Sequence, residues 1–140
     1  MVELSSEEKI ALSEVRIEKS REMLSDAVKN FNAGMYKTSV NRSYYSVLHS
    51  ARSLLILRGV DPVRHDGVKM MISLHFIKTK LLPDEIITIF KNLLTLRTDV
   101  DYGDFESVGR GDAGKAIRQA RKFIKTLETV REKLVKEMSS

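Results

Sequence analysis

Ile10, Ile17, Leu24 and Phe31 recur every seven residues, and no proline interrupts the chain before Pro62. A seven-residue apolar repeat keeps one face of an α-helix turned toward a neighbour, which restricts this stretch to a packed helix. Ser13, Ser20 and Ala27 follow the repeat by three positions, and their small side chains leave room for a close partner helix. Ser5-x-x-Glu8 has capping-box spacing and Gly34 supplies a stop, so the first helix is predicted at about residues 6–32. At ~1.5 Å per residue it spans about 40 Å.

A second helix is predicted at about 35–58, with Val40, Tyr44, Val47, Leu48, Ala51 and the run Leu54–Leu57. It is apolar nearly all round toward its C-terminus, so it is expected to be the most buried element. Gly59 ends it and Asp61-Pro62 marks a turn. A shorter helix is predicted over 65–79. Pro83 and Asp84 then open a fourth, whose apolar set is Ile86, Ile89, Phe90, Leu93, Leu96 and Val100. Residues 103–111 form a Gly-rich loop, and Asp112 is a favourable N-cap for the last helix. That helix carries Ala113, Ala116, Ile117, Ala120, Ile124, Leu127, either Val130 or Arg131, Leu134 and Met138. The fold expected is all-α: an up-and-down bundle of four long helices plus one short helix, forming a single domain over residues 1–140.

The chain has no cysteine, which excludes a disulfide framework, a thiolate zinc site and a cysteine nucleophile. Its three histidines lie far apart with no i, i+4 pair, so no metal site is expected, and no cofactor is called for. Residues 1–9 are acidic and polar, unlike a secretory leader, and no apolar run approaches a membrane span. A cytoplasmic location is the expectation. The net charge of +5 is unevenly spread: residues 35–80 hold 8 basic and 2 acidic side chains, and residues 113–140 hold 8 and 3. Those segments brought together would attract a polyanion or an acidic partner. Solvated helix faces would give the same pattern.

Two patches combine an Arg, a polar partner and a Tyr within two helical turns. One is Asn41-Arg42-Ser43-Tyr44-Tyr45-Ser46-Val47-Leu48-His49; the other is Arg97-Thr98-Asp99-Val100-Asp101-Tyr102. Arg42 and His49 are seven apart, so they face one way, ~10.5 Å apart along a helix axis. Tyr45 lies between them. An imidazole can move protons near neutral pH, and a guanidinium can hold a phosphate. Arg42, His49 and Tyr45 are therefore candidates for metal-free RNA cleavage, in which the 2′-hydroxyl is the nucleophile. A core or subunit interface with satisfied polar tips would use the same residues. Arg97 and Asp101 have the spacing of an intrahelical ion pair that fixes the helix end. His65, at the expected start of the third helix, could meet a phosphate there or simply be a solvated loop residue.

These residues carry a family resemblance. Asn41-Arg42-Ser43-Tyr44-Tyr45 with Leu48-His49-Ser50-Ala51-Arg52, then Gly59, His65-Asp66-Gly67-Val68 and Arg97 to Tyr102, resemble the HEPN domain family over roughly residues 8–130. Its members are small helical bundles often found with minimal nucleotidyltransferases in prokaryotic operons. The resemblance implies a five-helix bundle, usually a homodimer, with a groove for nucleotide or RNA. Catalytic members cut RNA without metal through an Arg-x4–6-His motif contributed by both subunits. Arg42 and His49 fit that spacing, yet they lie on the second helix, whereas the family's motif lies on a later one. The later arginine here is Arg97, followed by Asp101 and Tyr102 and by no histidine.

The expectation is a nucleotide- or RNA-binding homodimer acting with a nucleotidyltransferase protein, as in a toxin–antitoxin pair. Arg42, Arg97 and His65 would contact phosphate, and Tyr44, Asp101 and Tyr102 would shape the site. A metal-independent endoribonuclease and a purely structural dimerisation protein are the alternatives. No membrane partner is expected.

Overall fold

The computed structural model describes residues 3–102 and 108–139; the side chains of residues 99–102 are outside that description. The described residues form five α-helices: α1 (Ser6–Asn32), α2 (Tyr36–Leu55), α3 (His65–Ile72), α4 (Glu85–Tyr102) and α5 (Arg110–Met138). There is no strand among the described residues. The architecture is the all-α bundle expected, with α3 as the short helix.

Local chemistry sets the boundaries. Ser5 Oγ accepts from the Glu8 N–H at 3.1 Å, and the Ser5 N–H donates to Glu8 Oε1 at 3.0 Å, so two donors that the helix leaves orphaned are satisfied. Gly34 turns the chain at φ +76° and Gly59 at φ +75°, a region that side chains resist, and each ends a helical segment. α2 tightens at its C-terminus into a single 3₁₀ turn, Ile56–Arg58.

Two expectations are corrected. The helix predicted over 65–79 stays α only to Ile72, then widens into a π turn over Ser73–Ile77. Phe76, four residues after Ile72, is buried in the core, while Leu74 remains exposed. Asp112 is not the N-cap of the last helix. Gly109 is, and Asp112 sits three positions later, where its Oδ2 accepts the Gly109 N–H at 3.1 Å. An acid three residues inside a helix can reach back to the cap, which is why its sequence signal resembled a cap.

α2 is the central element, packed against α1, α3, α4 and α5. Its contact with α1 is a seam of serines. Ser13 Oγ donates to the Ser53 carbonyl at 2.6 Å, Ser20 Oγ to the Ser46 carbonyl at 2.6 Å, and Ser39 Oγ to the Ala27 carbonyl at 2.7 Å. Small side chains bring the two backbones close; these three hydroxyls find acceptors in the opposite helix, while Ser46 and Ser53 donate within α2 to the Ser43 and Ser50 carbonyls. α5 locks onto the seam through Arg131, the inner choice of the Val130/Arg131 pair: its Nε donates to Ser13 Oγ at 2.7 Å and its Nη2 to Glu14 Oε2 at 2.8 Å. On the other side of α2, Tyr44, Phe90 and Phe123 form an aromatic core with ring centroids 6.0 and 6.4 Å apart. That core rigidly holds the α2 and α4 positions from which the site is built.

Candidate functional site

Tyr44 and Tyr45 are neighbours on α2, so their side chains leave the helix about 100° apart. Tyr44 is buried against Phe90, and Tyr45 is half-buried at the surface. Their rings meet edge to face at 5.2 Å. Arg97, near the C-terminal end of α4, lies against both, its guanidinium carbon 5.5 Å from the Tyr44 centroid and 5.4 Å from the Tyr45 centroid. Arg97 Nη2 donates to the Tyr45 hydroxyl at 2.9 Å. Such cation–π contacts contribute about 0.5–2 kcal/mol each, and here they also fix the guanidinium plane.

This arrangement forms one wall of a cavity of about 380 Å³. The opposite wall is the start of α3: Val63, Arg64, His65 and Asp66. Arg64 is the N-cap of α3 and provides no side-chain cap, so the first N–H groups of the helix have no capping oxygen from it. A helix N-terminus with orphaned donors carries partial positive charge and attracts anions. Among the described residues, the guanidinium groups of Arg64 and Arg97 and the carboxylate of Asp66 line the hollow. Asp66 Oδ1 lies 3.4 Å from His65 Nε2. Burial pushes the Tyr44 phenol up to about 12, and Tyr45 and Asp66 add to the rise while Arg97 opposes it, so Tyr44 stays a neutral wall.

Among the sequence-predicted site residues, the fold gathers Tyr44, Tyr45, His65 and Arg97 round this hollow. Arg42 and His49 do not line it. Arg42 Nη1 makes a long 3.5 Å contact with Asn41 Oδ1. His49 is half-buried, and burial, followed by the charges of Arg52, Lys19 and Arg16, holds its pKa below the ordinary imidazole value. The side chains of Asp101 and Tyr102, and with them the expected Arg97–Asp101 pair, lie outside the described residues. Sequence reasoning missed Arg64 as a lining residue. The available signal was a cation at the junction between the Asp61-Pro62 turn and the helix start, where its side chain must project past the helix end.

A larger hollow of about 1060 Å³ lies elsewhere, between the N-terminal segment, the end of α2 and Met71, with Leu4, Leu12, Ile56, Val60 and Pro62 in its walls. It contains none of the tyrosine–arginine chemistry. Among the described residues no group of three His, Asp or Glu side chains could hold a metal ion, and no helix is long and apolar enough to cross a membrane.

The HEPN domain family matches residues 13–130 of the chain. A UPF0332 protein of Archaeoglobus fulgidus is 30% identical over 112 residues, covering 79% of this chain and 88% of the relative. A Methanocaldococcus jannaschii protein named "Putative toxin MJ0605" is 31% identical over 108 residues, covering 77% of this chain and 80% of that one. A UPF0332 protein of Pyrococcus horikoshii is 41% identical over 66 residues, a match that spans 47% of this chain and 46% of the relative. The crystal structure of TT1696 from Thermus thermophilus superposes with a TM-score of 0.73 at 16% identity, covering 84% of this chain and 96% of that one, a likeness of fold.

Proposed function

The chain belongs to the HEPN domain family, and from that premise we propose that it is an RNA- or nucleotide-binding module whose phosphate site is the cleft between α2, α3 and α4. The observation that carries this reading is the Arg97 guanidinium, oriented by the Tyr45 hydroxyl at 2.9 Å and by two tyrosine faces, at the wall of a cavity whose far side is a helix N-terminus. A phosphate entering there meets the planar donors of Arg97, the Arg64 side chain and the first N–H groups of α3. A base beside it can lie against Tyr45, the more exposed of the two rings, as bases do on aromatic platforms.

A partner role belongs to the same reading. The M. jannaschii relative named as a toxin supports a toxin-like pair; the family resemblance supports a homodimer and a nucleotidyltransferase as the second protein. Co-purification of the chain with such a protein, expressed together, tests that part.

The binding claim is tested by fluorescence anisotropy with labelled single-stranded RNA across a salt series. Affinity falls with log salt by a slope of about −0.7 for each phosphate engaged, and Arg97→Gln weakens binding at least about tenfold (~1.4 kcal/mol). Absence of affinity in the wild-type protein at low salt overturns the reading. Cleavage of the bound RNA, abolished by His65→Ala, would make the cleft an endoribonuclease centre, since His65 is the imidazole in its wall.

A further inference from the structure

Beside the cleft, α2 presents a second basic face where it meets α1. Arg16 of α1 and Arg52 of α2 reach one carboxylate: Arg16 Nη1 is 2.9 Å and Arg52 Nη2 3.1 Å from Asp61 Oδ1. Arg16 Nη1 also lies 3.4 Å from the Arg52 carbonyl. The two arginine side chains are only 15% and 21% exposed, so both are largely withdrawn from water yet open at a rim. Arg52 Nε is buried and has no hydrogen-bond partner among the described residues. His49 lies three residues before Arg52 on α2 and feels Lys19 and Arg16 from α1 as well as Arg52. Arg16, Lys19 and Arg52 thus all act on the His49 imidazole, with Asp61 as the carboxylate that Arg16 and Arg52 share.

Asp61 meets Arg16 through both oxygens, the second pair being Arg16 Nη2 to Oδ2 at 3.1 Å, and Arg52 through one, so one carboxylate balances only one of these positive charges and leaves room for a further anion. We propose that Arg16, Lys19, His49 and Arg52 form a second phosphate subsite, which takes a phosphodiester of the same nucleic-acid strand that occupies the cleft. The inference rests on the cleft binding RNA and narrows its ligand to a single strand several nucleotides long. Geometry supplies the link. Tyr45 and Arg52 are seven residues apart on α2, so they share one side of the helix about 10.5 Å apart along its axis. At ~3.4 Å per stacked nucleotide, that distance is covered by roughly three nucleotides. A mononucleotide cannot reach both places, whereas a short strand crossing α2 over Tyr45 can.

The test follows the His49 and Tyr45 ring resonances of the full chain by NMR during titration with a ten-nucleotide single-stranded RNA and, separately, with inorganic phosphate. A phosphate at the second subsite brings negative charge to an imidazole otherwise faced by Arg52, Lys19 and Arg16, so the His49 pKa rises when RNA is bound. Lys19 is exposed, so Lys19→Gln leaves the fold intact; it weakens the ten-nucleotide RNA about three- to tenfold and reduces the salt slope by about 0.7. RNA that shifts Tyr45 but leaves His49 and its pKa unmoved overturns the second subsite and leaves the cleft reading standing. A His49 response to inorganic phosphate alone, without one to RNA, likewise overturns it as a nucleic-acid subsite. RNA that moves neither ring removes the cleft reading and this one together.

Discussion

Arg131 and Arg97 are both guanidinium groups set into the helical packing, and they are used in opposite ways. Arg131 is 8% exposed; its Nε and Nη2 go to Ser13 and Glu14, so its charge is spent on tying α5 to α1. Arg97 is held by a phenol and by two ring faces, and it borders a hollow whose other wall is a helix N-terminus. A carboxylate met across a helix interface and shared with no second cation, as Glu14 is for Arg131 among the described residues, turns an arginine into a tie between elements. Aromatic faces instead fix the plane of the group at the border of the hollow. What surrounds a guanidinium, rather than how buried it is, separates a structural clamp from a ligand site.

The largest effect that can break this contrast is on stability. Arg131→Ala removes two charge-assisted hydrogen bonds and the packing of the side-chain stem, and is expected to cost about 2–3 kcal/mol in urea unfolding. Arg131→Met restores the stem and should recover a sizeable part. A loss below about 0.5 kcal/mol for Arg131→Ala would show that the clamp does not hold the bundle.

Next comes a pH effect at the cleft wall. The Tyr44 phenol is pushed up to about 12 by burial, whereas in the unfolded chain it titrates near 10. Its stabilising contribution is therefore complete below pH ~10 and lost as pH rises toward ~12, about 2–3 kcal/mol over two pH units at ~1.36 kcal/mol per unit. Tyr44→Phe should flatten that alkaline loss relative to wild type; an unchanged alkaline limb would mean that Tyr44 ionises freely in the fold.

Tyr45→Phe is a finer probe, because it keeps the ring under Arg97 and deletes only the hydroxyl that orients it. RNA affinity should drop about three- to fivefold, near 1 kcal/mol, with stability changed by less than that. Equal affinities would leave the ring faces alone responsible for placing Arg97.

The smallest expected effect lies outside the cleft. The folded-state pKa of His49 is depressed by burial and by Arg52, Lys19 and Arg16, so the unfolded chain binds its proton more readily. The stability it contributes is present above the unfolded pKa of ~6.5 and declines as pH falls through the folded value. His49→Gln should reduce the acid slope of unfolding between pH ~7 and ~5, read from thermal melts.

Most of the fold was legible in the sequence because long periodic helices advertise themselves. The seven-residue repeat, the Ser5–Glu8 box and the stops at Gly34 and Gly59 fixed α1 and α2 to within a few residues. The π turn at Ser73–Ile77 was not legible, because the apolar spacing of Val68, Ile72 and Phe76 is the same as that of an uninterrupted α-helix. The serine seam was half read: Ser13 and Ser20 were noticed, but Ser39, Ser43, Ser46, Ser50 and Ser53 of α2 were hidden behind its larger apolar residues. Their spacing of four and three was the available sign.

The site was read in pieces. Tyr44, Tyr45, His65 and Arg97 were each singled out, yet which of them share a cleft depends on how α3 and α4 pack on α2. Arg42 and His49 matched a motif spacing along one helix. Spacing fixes direction around an axis and says nothing of what lies opposite, and His49 feels the charges of Arg16 and Lys19 of α1.

A crystal structure of the protein soaked with a nucleoside monophosphate tests the central claim most directly. The account predicts phosphate oxygens at charge-assisted hydrogen-bond distance, ~2.7–2.9 Å, from the Arg97 guanidinium, with the base against Tyr45. A nucleotide bound elsewhere, with the α2–α3–α4 cleft empty, would contradict it.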